Sequence, residues 1–193
     1  MTSETVDDAA RDEQRPSAFR ITMGRERGYH PAAVDTFLAA ARESFESDGS
    51  LTAYDVRIAS FPLIKNGYAV ADVDAALGRI EDAFAARQRE QVVRSGGVEA
   101  WVGDARSKAQ EILDHLARSR KHKFARTGFL TFGYRVDEVD HVAGRIVRYL
   151  RDGDDLSAEQ LRSAAFRMQR GGYREEQVDA LLDATIDVIL AVR

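Results

Sequence analysis

Gly67-Tyr68-Ala69-Val70-Ala71-Asp72-Val73-Asp74 is the stretch on which the fold turns. Its frame is Gly-Tyr, four residues, then Val-Asp. The same frame returns at Gly28-Tyr29 with Val34-Asp35, at Gly133-Tyr134 with Val139-Asp140, and at Gly172-Tyr173 with Val178-Asp179. At ordinary residue frequencies such a pattern arises by chance about once in 10^4–10^5 positions. Four copies therefore mean internal repetition, which is read before anything else. Gly28 to Gly67 and Gly133 to Gly172 are each 39 residues, and the second pair lies 105 residues after the first. Phe19 and Phe124, Thr22 and Thr127, Leu51 and Leu156, Arg57 and Arg162, and Phe61 and Phe166 obey the same shift. The simplest history is a unit duplicated to a pair, then a pair duplicated.

After each frame the apolar residues fall at helical spacing. Val34, Phe37, Leu38, Ala41 and Phe45 form one stripe, and Val73, Leu77, Ile80 and Phe84 another. Val136, Val139, Val142, Ile146 and Leu150 follow the third copy. Val178, Leu181, Leu182, Ile186, Ile189 and Leu190 follow the fourth. Pro31 suits a first helical position. Thr52 with Asp55, and Ser157 with Gln160, have capping-box spacing and predict short helices before the second and fourth copies. Ser95-Gly96-Gly97 breaks the chain, and Val98 to about Arg120 reads as a further helix. One helical hairpin cannot bury its stripe alone, whereas four can pack together. The expected fold is all-α, built of tandem helical hairpin repeats with room for short extended segments before the turns. The expected layout is a disordered tail at 1–17, a first pair of units at 18–95, a linking helix at 96–123 and a second pair at 124–193.

The frame residues read as structural. The Gly is a backbone position with positive φ, or one where another segment passes closely. The Tyr pins the turn with an apolar body and a polar tip. The Val begins the stripe. The Asp sits near a helix start, where negative charge is favoured and loop N–H groups can be accepted.

Composition narrows the function. The chain has 193 residues, no Cys and a net charge of −4. Thiolate and disulfide chemistry are excluded, and no window approaches the roughly 18 apolar residues of a membrane-spanning helix. A cytoplasmic location is expected, at most peripheral to a membrane. No Ser or Cys nucleophile motif or phosphate-cradling glycine loop is present, so no enzyme, cofactor or catalytic residue is expected. His115 and His122 are seven apart with no evident third ligand, so no metal site is expected either. The candidate contact segment is 118–132. It carries Arg118, Arg120, Lys121, Lys123 and Arg126, then Phe129 and Phe132. The basic run also has a structural reading as cations at a helix C-terminus. The alternative to a protein-binding scaffold is a peripheral membrane or nucleic-acid binding module using 118–132, although the acidity of the chain argues against whole-surface binding to nucleic acid.

With Leu51-Thr52-Ala53-Tyr54-Asp55-Val56-Arg57, then Phe61, Gly67-Tyr68 and Val73-Asp74, the chain resembles the N-terminal domain of DivIVA. Leu156-Ser157, Arg162, Phe166, Gly172-Tyr173, Val178-Asp179 and Leu182 repeat the resemblance. It covers most of 19–94 and 124–193, in the manner of small actinobacterial proteins built from repeated DivIVA-like domains. The resemblance implies a non-enzymatic scaffold linked to cell division or polar growth, acting through protein–protein interaction with division or envelope-growth machinery. It also implies a short domain seated on the membrane, followed by a dimerising coiled coil. No heptad run follows any copy here. At the positions where the family places an exposed Phe and a basic residue before Gly-Tyr stand Glu26-Arg27, Lys65-Asn66, Thr131-Phe132 and Arg170-Gly171, none of which carries the full pair. Without the coiled coil, the tandem copies are expected to pair within one chain as an internal pseudo-dimer.

Overall fold

The structure, a computed structural model, describes residues 19–47 and 49–192. The expected tail at 1–17 lies outside the described residues. Among the described residues the element order is β1 (Arg27–Tyr29), α1 (Pro31–Glu46), α2 (Ala53–Arg57), β2 (Leu63–Lys65), α3 (Val70–Arg94), α4 (Val98–Leu116), β3 (Phe132–Tyr134), α5 (Val136–Asp152), α6 (Ala158–Arg162), β4 (Met168–Arg170) and α7 (Glu175–Val192). The fold is predominantly helical but not purely α. Its four strands form two antiparallel ribbons, β1 with β2 and β3 with β4. This corrects the all-α expectation. The arms before each Gly-Tyr pair main chain to main chain instead of only turning.

Local signals account for the helix ends. Pro31 opens α1 after His30, and Thr52 with Asp55 and Ser157 with Gln160 form full capping boxes at α2 and α6. Gly96, at φ +79°, separates α3 from α4. α4 stops at Leu116, short of Arg120. There Lys123 Nζ folds back and donates to the Leu116 and Arg118 carbonyls, which are left over at the helix end.

Two compact units divide between Glu81 and Asp82, inside α3 and ahead of the glycine pair at 96–97. In the first, Gly28 pairs with Ile64 and Tyr29 with Leu63. Tyr29 and Tyr68 exchange backbone bonds of 2.9 and 2.8 Å. The two motif glycines meet back to back at this crossing. A Cβ on Gly28 would lie 2.2 Å from the Tyr68 carbonyl oxygen, and one on Gly67 2.4 Å from the Gly28 oxygen. Close approach, not positive φ, is the reason for glycine here. The side chains then cross over. Tyr68 OH donates to Asp35 at 3.2 Å, and Tyr29 OH bonds Asp74. Each Tyr thus reaches the Asp of the other copy. Val34, Val56, Val73 and Leu77 are buried, and Tyr29 and Phe37 both set their rings against Phe61 at 5.3 and 5.7 Å. Arg57 donates to Glu81 at 2.8 Å with both side chains under 10% exposed.

In the second unit the ribbon pairing and the crossed Tyr–Asp bonds stand 105 residues on. Gly133 pairs with Gln169 and Tyr134 with Met168. Tyr134 OH donates to Asp179 at 3.4 Å, and Tyr173 OH to Asp140 at 3.0 Å. Asp140 also accepts the Lys121 N–H at 2.9 Å, the loop bond expected of the motif Asp. The core joins α4, α5 and α7 through Ile112, Leu116, Val139, Ile146, Val178 and Ile189. The end of α3 belongs to this unit. Ala85 packs on its core, and Arg89 donates to the Leu190 carbonyl at 3.3 Å. Trp101 Nε1 donates to the Ala191 carbonyl at 3.1 Å, fixing α4 to the end of α7.

Candidate functional site

The segment 118–132 divides into a tied-down basic part and an exposed apolar part. Among its cations, Lys123 caps α4. Arg120 stands 3.8 Å from Asp137 and 3.9 Å from Asp140, and Arg126 donates to the Gly171 carbonyl at 2.8 Å. Lys121 takes φ +65°, and its N–H goes to Asp140. These contacts hold the loop to its own unit. Arg118 is exposed and lies close enough to His115 to oppose its protonation. Phe124 is buried, with its ring 5.1 Å from His115 and 5.2 Å from Tyr173. Burial first, then Arg118, holds the His115 imidazole below its ordinary pKa, and its buried Nε2 has no hydrogen-bond partner.

Beyond Phe124 the chain makes a tight turn. Thr131 N–H donates to the Gly128 carbonyl at 2.9 Å, Thr127 Oγ1 donates to the Thr131 carbonyl at 2.9 Å, and Gly171 N–H donates to it at 3.0 Å. Three bonds on one short turn fix its backbone and push its two middle side chains outward. Phe129 is 80% and Leu130 69% exposed. Phe132 and Met168, on the ribbon beside the turn, are each 49% exposed. The Arg170 guanidinium lies 5.5 Å from the Phe132 ring centroid. The result is an apolar tip, presented by a fixed turn, with Arg126 and Arg170 at its edge.

The corresponding turn of the first unit differs. Glu26 N–H donates to the Met23 carbonyl at 3.3 Å, and Gly24-Arg25 fill the positions of Phe129-Leu130. Only Met23 and Leu63 are large exposed apolar residues there. Leu130 belongs to the apolar run Phe124, Phe129, Leu130 and Phe132 that precedes Gly133. Met168 joins the tip only because β4 pairs with β3.

Two Tyr hydroxyls of the frames, Tyr134 and Tyr173, are strongly shifted. Burial, aided by Asp179, pushes the Tyr134 hydroxyl up to about 12, and burial with the bond to Asp140 does the same at Tyr173. Burial raises Asp74 and Asp179, partly offset by the bonds from Tyr29 and Tyr134. A tyrosine hydroxyl held neutral and engaged with a carboxylate is a brace, not a poised acid or base. Among the described residues no three His, Cys, Asp or Glu side chains gather as a metal site, and no helix is long and apolar enough to cross a membrane. Set against family models, curated proteins and solved structures, the chain has no match in any of the three.

Proposed function

We propose that the chain is a non-enzymatic scaffold of bacterial cell division or polar growth, as the DivIVA resemblance implies, and that it seats itself on an anionic membrane surface through the Phe129–Leu130–Phe132–Met168 tip. The observation that carries this is the exposure of four large apolar side chains on one fixed turn and ribbon. Such a patch marks an interaction surface. Each of these side chains gains about 1.5–3 kcal/mol on full burial, and a flanking cation adds about 1 kcal/mol near anionic lipid. Together these support reversible, peripheral attachment at the cytoplasmic face. The structural roles of the frame residues support reading the 105-residue correspondence as duplication of a paired unit, with each crossing an internal pseudo-dimer. The nucleic-acid alternative loses support because Arg120 faces Asp137 and Asp140 and Lys123 is folded back onto the end of α4.

Cosedimentation with phosphatidylglycerol-containing vesicles at low salt tests the membrane seat. The full chain should pellet with them and not with neutral vesicles. Phe129→Ser with Phe132→Ser should weaken pelleting by at least about tenfold, the equivalent of one apolar anchor at the low end of that range. Absence of pelleting at low salt sinks the seat. A pulldown from a related cell that returns no division or envelope protein counts against the scaffold.

A further inference from the structure

The two units differ beside Phe166. In the first unit Phe37 sets its ring 5.7 Å from Phe61. In the second unit Phe166 stands where Phe61 does, and its ring meets Tyr134 at 5.0 Å, but the place of Phe37 is taken by Val142. Between α5 and α6 lies an open cleft of about 460 Å³, with Val142, Leu161 and Phe166 in its apolar wall.

The rim has changed with the floor. Arg135, His141 and Arg145 line the cleft where the first unit has His30, Thr36 and Ala40. Two acids also line it, and each faces cations: Arg167 and Arg135 for Glu138, and Arg120, shared with Asp140, for Asp137. Glu138 is held by Arg167 through a backbone N–H at 2.8 Å and the guanidinium at 2.5 Å, and Asp137 stands 3.8 Å from Arg120. Arg145 bonds the neutral Gln160 amide oxygen at 2.8 Å. The cleft therefore offers an aromatic-sized apolar recess beneath a cationic rim.

We propose that the α5–α6 cleft docks an acidic peptide segment of a partner protein, with one aromatic or branched apolar side chain in the recess and flanking carboxylates on Arg135 and Arg145. An open cleft of this size holds one anchor side chain, while charge–charge contacts at the rim select acidic flanks. The proposal rests on the scaffold reading, which requires a partner-facing surface besides the tip.

Fluorescence polarisation of the full chain with labelled acetyl-Asp-Glu-Phe-Asp-Glu tests it. The peptide should bind at low salt, while a peptide with Lys flanks, or with Ala for Phe, should bind at least about tenfold more weakly. Val142→Phe, which restores the ring of the first unit, should cost about tenfold or more. Arg135→His with Arg145→Ala should do likewise and decides the matter alone if Val142→Phe does not fold. Phe129→Ser with Phe132→Ser should leave peptide binding intact, so the cleft and the membrane seat fail separately. No binding up to about 1 mM, equal binding of the Ala peptide, or unchanged binding in the folded variants overturns the proposal.

Discussion

Gly172→Ala adds a methyl group where two backbones touch. Its Cβ would stand 2.5 Å from the carbonyl oxygens of Gly133 and Tyr134 and 2.6 Å from the Gly133 carbonyl carbon. These are main-chain atoms, so no side chain can swing away and the strands must part. Overpacking of this kind costs about 1–3 kcal/mol. The reciprocal bonds between Tyr134 and Tyr173, both 2.9 Å, and the Thr127 N–H bond to the Gly172 carbonyl at 2.8 Å are strained or lost with it. At about 1 kcal/mol each, these bring the expected destabilisation to about 4–6 kcal/mol, at the far end of single substitutions. Trp101 is the sole tryptophan and lies in α4 of the second unit, so its fluorescence during urea unfolding reports on that unit. Gly103→Ala is the control, because a Cβ there meets nothing within 4 Å inside α4. It should stabilise by up to about 1 kcal/mol through helix propensity. A Gly172→Ala midpoint equal to that of the parent protein would refute the crossing as drawn.

Further expectations follow from the buried polar groups. Glu81→Leu removes the carboxylate 2.7 Å from a guanidinium that is 8% exposed and should cost the first unit about 3–5 kcal/mol, whereas Arg57→Met with Glu81→Leu should recover most of it; thermal unfolding followed by circular dichroism compares the two. Because the Tyr134 and Tyr173 hydroxyls are raised from 10.0 to about 12, their contribution to stability is complete below pH 10 and is lost as pH climbs from there to about 12. Absorbance titration near 295 nm should show a late-ionising class that shrinks in Tyr134→Phe with Tyr173→Phe, leaving the raised Tyr29 and Tyr68 of the first unit. His115 is depressed from 6.5, so its contribution is present above that pH and declines as pH falls below it. His115→Phe should flatten this slope in Trp101-monitored unfolding between pH 6.5 and 5.

Helix positions were legible because their causes are local. Pro31, the two capping boxes and the break at Gly96 act within a few residues, and the α1 and α3 stripes follow from helical periodicity. Glu81 shows the limit. It falls in the apolar stripe between Leu77 and Phe84, which marks it as unusual, but its partner Arg57 is 24 residues away and no spacing rule connects them. At the position 105 residues later stands Ile186, and the matching Arg162 pairs with Asp82 at 2.7 Å instead. The Phe129 tip could be nominated from composition. That Phe129 and Leu130 project, while Phe124 is buried and the nearby cations are tied inward, depends on long-range bonds to Gly171 and Asp140.

The sequence by itself determined the repetition, the helical majority and the demand for glycine at four equivalent points, because these follow from periodicity and from the lack of a side chain. Tertiary structure alone decided what that demand was for. Two chain segments separated by 39 residues cross at main-chain contact and exchange Tyr–Asp bonds, and a backbone crossing leaves no signature in the sequence beyond the missing Cβ. It also decided that Val142, Leu161 and Phe166 wall one cleft, since a recess depends on side chains brought together from different helices.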